Sequence, residues 1–107
     1  MDDYIVVLVT ASSMEEVERI ALQLIGSGLA PCVNIISSCR SIYQWKQEIH
    51  KDDEVLMIIK SRRALFSELV AIIEKNHSYD VPEIISLPLV EASRKYSTYL
   101  KGFLRTD

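Results

Sequence analysis

Two runs of this chain, Ile5-Val6-Val7-Leu8-Val9 and Val55-Leu56-Met57-Ile58-Ile59, are apolar at every position. Successive side chains of a strand point to opposite faces, so a run without a polar residue has to be covered on both. Strands of this kind belong in the middle of a sheet. A chain that carries two of them needs other strands at its edges and something packed on each face.

The segments around these runs supply the edges and one layer. Ser12 with Glu15, and Ser13 with Glu16, both have capping-box spacing after the loop Thr10-Ala11-Ser12-Ser13. The helix they start carries the stripe Val17, Ile20, Ala21 and Leu24, and Gly26 and Gly28 end it. Pro31 opens a second extended region. Cys32 to Ile36 is apolar apart from Asn34, and Ser37 to Ser41 is polar. Ile42 to Ile49 alternates, with Tyr43, Trp45 and Ile49 on one face. His50-Lys51-Asp52-Asp53 is the turn candidate, which places Ile49 opposite Glu54 and Tyr43 opposite Lys60. A second helix fits Arg62 to Asn76, with Ser61 as its cap and Phe66, Leu69, Val70 and Ile73 as its stripe. Pro82 disfavours helix for Val81, Glu83 to Leu87 reads as a fourth strand, and Pro88 marks its end or an edge position. A last helix runs from about Ala92 to Leu104, with Ala92, Tyr96, Tyr99, Leu100 and Phe103 on one side.

The resulting order, β-α-β-β-α-β and then a helix, predicts an α+β ferredoxin-like sandwich spanning residues 1–107 as a single domain with an extra C-terminal helix. The central strands of that topology are the first and third, the two runs that are apolar on both faces. Two helices cover one face of the sheet. The other is left for the last helix or for another subunit. The second extended region bears on this choice. As one strand, Cys32 to Ile49 would reach about 60 Å at roughly 3.3 Å per residue, against a radius of gyration of about 13 Å for a domain of this size. It has to break near Ser37 to Ser41, or project and pair with a neighbouring chain, or both. A closed homo-oligomer built by strand pairing between subunits is the expectation.

The chain has 107 residues and a formal charge of −3, with no basic block, which argues against nucleic acid or an anionic membrane as partner. The start, Met1-Asp2-Asp3, lacks the basic and apolar pattern of a signal peptide, and no apolar run approaches the roughly 20 residues of a membrane helix. Cys32 and Cys39 do not make a disulfide framework, so a reducing, cytoplasmic compartment is expected. No glycine-rich phosphate loop, Cys-x-x-Cys, His-x-x-x-His or nucleophile elbow is present, and no enzyme activity is expected.

Chemistry-bearing residues concentrate in Asn76-His77-Ser78-Tyr79-Asp80-Val81-Pro82-Glu83, between the second helix and the fourth strand. His77 suits a metal ligand, or equally a helix-terminal histidine whose ring closes the core. Asp80 can serve a ligand or bond the backbone in a turn. Glu83 places a carboxylate beside buried strands, and Tyr79 can pack or line a site. Cys32 is a soft ligand suited to copper, or a small inert hydrophobe. Tyr43 and Trp45 can line a pocket for a flat ligand, or belong to an interface or core.

Three blocks carry a resemblance. They are Ala30-Pro31-Cys32-Val33-Asn34-Ile35; then Ser41-Ile42-Tyr43-Gln44-Trp45 followed by Glu54-Val55-Leu56-Met57-Ile58-Ile59-Lys60; and His77-Ser78-Tyr79-Asp80-Val81-Pro82-Glu83-Ile84-Ile85. Together, and in this order, they resemble the CutA family of divalent-cation-tolerance proteins over essentially the whole chain. The resemblance implies a tight homotrimer of PII-like architecture, a role in metal tolerance, and binding of copper (Cu2+) or another divalent cation. It maps the metal site to His77 and Glu83, with Cys32 a further candidate. The alternative it leaves is a PII-like sensor with a small-ligand pocket at the subunit interface, formed by Tyr43, Trp45, Tyr79, Asp80 and Glu83. Ser78 stands where the family usually has proline, and Gln47 where glycine is common.

Overall fold

The structure is a computed structural model that describes residues 3–105, so the ends of the expected 1–107 domain lie outside the described residues. Four strands form one antiparallel sheet: β1 (Tyr4–Ala11), β2 (Val33–Trp45), β3 (Glu48–Arg62) and β4 (Ile84–Pro88). Three helices accompany them: α1 (Met14–Gly26), α2 (Phe66–Asn76) and α3 (Arg94–Phe103). The sheet order is β2-β3-β1-β4, which puts the two all-apolar runs in the centre. Pro88 closes the edge strand β4, opposite Ile5.

Alternation along β1 and β3 sorts the apolar residues into two sets. Ile5, Val7, Val9, Val55, Met57 and Ile59 face α1 and α2 and are buried in one core with Val17, Ile20, Leu24, Leu69 and Ile73. Of the two capping candidates, Ser13 is the one used; its Oγ accepts the Glu16 N–H at 3.2 Å. Gly28, at φ +74, carries the chain out of α1 in the left-handed region, where its Cα faces the Arg105 side chain. The last helix does not cross the free face of the sheet. Leu100 and Leu104 join the core on the helix side. Tyr99 donates to the Pro31 carbonyl at 3.3 Å, and Arg105 forks onto Glu68 at 2.8 and 3.0 Å.

Among the described residues, therefore, nothing covers the opposite face. Cross-strand partners line it up in rows: Leu87, Val6 and Lys60; Ile85, Leu8, Ile58 and Asn34; Thr10, Leu56 and Ile36. Ile36, Ile85 and Leu87 are each about half exposed.

Three local expectations are corrected. The hairpin turn is not at His50–Asp53. It is the two-residue loop Lys46-Gln47, with Trp45 opposite Glu48 and Tyr43 opposite His50. Lys46 and Gln47 both have positive φ, 51 and 69, as a primed hairpin turn requires, without the glycine that usually signals one. The polar run His50 to Asp53 belongs instead to a two-stranded arm. There Tyr43 stacks on His50 and donates to Asp52, and Arg40 pairs with Asp53. Ile49 consequently lies opposite Gln44, on the other face from Tyr43 and Trp45. Ser61 is not a helix cap. It pairs with Ile5 inside β3, and Arg63–Leu65 forms a 3-10 turn before α2. The expected break in the second extended region falls between Ile36 and Cys39, where the register shifts and Ser38 has φ 65.

Ser61 is fully buried, and its hydroxyl donates to the Leu29 carbonyl at 2.7 Å. Ser61→Ala leaves that carbonyl without this donor, and a loss of about 1–3 kcal/mol is expected in thermal unfolding.

Candidate functional site

The loop between α2 and β4 is anchored before it can bear a site. Asn76 ends α2 by donating to the Ile72 carbonyl at 2.8 Å and to Gln23 Oε1 of α1 at 3.1 Å. The chain then turns extended at His77, with φ −90 and ψ 142. The His77 side chain is wholly buried. Its Nδ1 accepts the Tyr79 N–H at 3.1 Å, which leaves Nε2 as the protonated nitrogen, donating to the Thr10 carbonyl at 2.8 Å. Glu16, itself almost buried, lies 3.5 Å from Nδ1 and accepts the Ser78 N–H at 3.3 Å. His77 thus pins the loop to the end of β1.

Beyond this anchor, Tyr79 reaches across to β3. Its hydroxyl donates to Glu54 at 2.7 Å, and its ring tilts against that of His77 at 4.8 Å. Burial, and then the Glu54 carboxylate, raise the Tyr79 phenol well above its ordinary range. On the β2–β3 arm the Tyr43 phenol is also raised, first by its hydrogen bond to Asp52. Between arm and loop lies an open cleft of about 540 Å³. Tyr43 and Trp45 form one wall, Tyr79, Asp80 and Glu83 the other, with Glu54 and Thr10 between them.

Five residues singled out in the sequence, Tyr43, Trp45, Tyr79, Asp80 and Glu83, therefore line one cavity. His77 stands behind it, with both ring nitrogens engaged. Cys32 lies elsewhere. It immediately precedes β2, beside Lys60, and Lys60 is six residues from Glu54, roughly 20 Å of strand at about 3.3 Å per residue. Among the described residues there is no group of three or more His, Cys, Asp or Glu placed to hold a metal ion. Cys32 and Cys39 are both free thiols. Glu54 and Thr10 escaped the sequence reading. The only signal for Glu54 was a carboxylate directly preceding an all-apolar strand, and its partner Tyr79 is 25 positions away.

A split β-α-β sheet with helices on one face, a free apolar face and a projecting arm defines a ferredoxin-like α+β protein. Residues 5–102 match the family described as CutA1 divalent ion tolerance protein, and the chain belongs to that family. It is 41% identical over 101 residues to the chloroplastic protein CutA of Arabidopsis thaliana, covering 94% of this chain and 56% of that protein. It is 40% identical over 96 residues to the divalent-cation tolerance protein CutA of Thermus thermophilus, covering 90% and 93% of the two. The chain thus spans little more than half of the plant protein and nearly all of the bacterial one. The crystal structure of CutA1 from Oryza sativa superposes with a TM-score of 0.94 at 40% identity, covering 99% of this chain and 97% of that one.

Proposed function

We propose that this chain works as a homotrimer in the response to divalent metal ions, copper among them, by binding and not by turnover. The observation that carries this reading is membership of the divalent ion tolerance family over residues 5–102. The trimer is supported by the uncovered face of Val6, Leu8, Leu56, Ile58, Ile85 and Leu87, and by an arm whose apolar residues Ile42 and Ile49 are 65% and 74% exposed. The free thiols suit a reducing compartment, the cytoplasm.

Of His77, Glu83 and Cys32, the geometry favours Glu83 as the residue that meets an ion. Its carboxylate lines the cleft, and it makes no hydrogen bond or ion pair among the described residues. The His77 ring reaches a metal only by releasing Thr10 or Tyr79. With too few ligands among the described residues of one protomer, the ion is shared between subunits or held with water in its remaining positions. Calorimetric titration with Cu(II) is expected to give an affinity about tenfold lower for Glu83→Gln than for the parent chain. Equal affinities remove Glu83 from the site, and an absence of heat for the parent chain removes copper.

The cleft favours a second reading, a receptor for a small organic ligand. At about 540 Å³ it falls within the range of small-molecule sites, roughly 300–1,000 Å³.

A further inference from the structure

The polar groups of the cleft are unusually one-sided. Its lining includes three carboxylates, Glu54, Asp80 and Glu83, and no lysine, arginine or histidine. The two phenols that could donate to an anion are already committed. Tyr43 donates to Asp52 and Tyr79 to Glu54. Both are raised above the ordinary tyrosine range, so at neutral pH they stay protonated with those donors in use. Beside the small Thr10 and Ser41 hydroxyls and the Trp45 N–H, the walls offer the face of each ring and the carboxylates of Asp80 and Glu83, which make no hydrogen bond or ion pair among the described residues. In the single protomer Tyr43, Trp45 and Tyr79 are 41%, 45% and 36% exposed, so much of their ring area is open to the cleft.

Aromatic faces attract cations through their negative quadrupole, with tryptophan the strongest, and carboxylates add direct charge. A bare metal ion prefers a shell of oxygen, nitrogen or sulfur ligands, and the faces of the rings supply none. An alkylammonium group, apolar outside and charged within, matches rings on one side and carboxylates on the other. We propose that the cleft between the β2–β3 arm and the 79–83 loop binds an organic cation of the alkylammonium class, seated on Tyr43, Trp45 and Tyr79 and neutralised by Asp80 and Glu83. This rests on the small-ligand reading of the cleft and names the chemistry of its ligand. Anions are turned away by the three carboxylates of the lining, with no lysine, arginine or histidine to offset them, and a neutral ligand of the same shape loses the charge term.

Trp45 is the only tryptophan of the chain, so its fluorescence reports on this wall alone. The test uses three probes of closely similar size: tetramethylammonium, tert-butanol and pivalate, carrying charges of about +1, 0 and −1 at neutral pH. Each is titrated into the full chain in its native oligomeric state, with a chelator present, and followed by Trp45 fluorescence and by calorimetry. Tetramethylammonium is expected to bind saturably and at least about tenfold more tightly than tert-butanol, with pivalate not binding. The double variant Asp80→Asn/Glu83→Gln, and separately Trp45→Leu read by calorimetry, should each weaken tetramethylammonium by about tenfold or more. These are exposed positions, so the variants should keep the parent fold, checked by circular dichroism. Equal binding of tert-butanol or pivalate overturns the cationic class while leaving a small-ligand cleft in place. No response to any of the three overturns the class and the cleft reading together. Unchanged tetramethylammonium affinity in both variants moves its binding elsewhere and also overturns the proposal.

Discussion

His77→Ala is expected to lower stability by about 3 kcal/mol, read as a lower urea midpoint at fixed protein concentration, with or without metal. The ring is wholly buried, so truncation opens a void at the junction of α2, β1 and the 77–83 loop. It also removes the donor to the Thr10 carbonyl and the acceptor of the Tyr79 N–H. Each such group costs about 1–3 kcal/mol when left unpaired in the interior, and the loop's closeness to water returns part of that. His77→Gln keeps a donor and an acceptor at similar reach and should recover part of the loss. Glu83→Gln, at an exposed position without a polar partner among the described residues, should leave the midpoint within about 0.5 kcal/mol of the parent. The pair of variants separates two kinds of residue in one eight-residue stretch, one that holds the loop and one that faces the cleft. A parent-like midpoint for His77→Ala would refute the anchoring role.

The contrast within that stretch also marks how far sequence could carry the site. Residue type identified the loop, because an imidazole, a phenol and two carboxylates beside a proline are rare between an apolar helix and an apolar strand. It left the direction of the His77 ring open, because that depends on the Thr10 carbonyl, a backbone group 67 positions away. The central strands were legible because an unbroken apolar run has one sensible place in a sheet. The arm was not. Its turn uses lysine and glutamine in left-handed conformations that neither residue type advertises. Its residues His50 to Asp53 look like a loop because a ribbon with solvent on both faces has no core to impose alternation. Ser61 misled for a related reason. A serine before a helical pattern reads as a cap, but pairing with Ile5 keeps it in the strand, and its hydroxyl finds Leu29 instead.

Ile58→Asp is expected to convert the proposed trimer to monomer. Ile58 sits in the middle of the uncovered face, flanked across the sheet by Leu8 and Asn34, with Ile85 beyond Leu8. In a single protomer it is only half-buried, so an aspartate there reaches water and the helix-side core of Met57, Ile59 and Leu24 is untouched. In an assembly that covers this face, the same carboxylate is buried without a partner in every copy, at a cost of several kcal/mol each. The apolar side chains that drive association are worth about 1.5–3 kcal/mol apiece when fully buried, and one central charge offsets two or more of them. Light scattering should therefore show the mass falling to one third of the parent value, with the far-ultraviolet circular dichroism of a folded chain. Ile49→Asp is the companion variant. Ile49 is 74% exposed on the arm, away from the sheet face. Dissociation by Ile58→Asp alone assigns the association energy to the face, and dissociation by both assigns a share to pairing through the arm. A parent-sized assembly from Ile58→Asp means that the apolar face is not what holds the subunits together. A monomeric parent chain removes the trimer altogether.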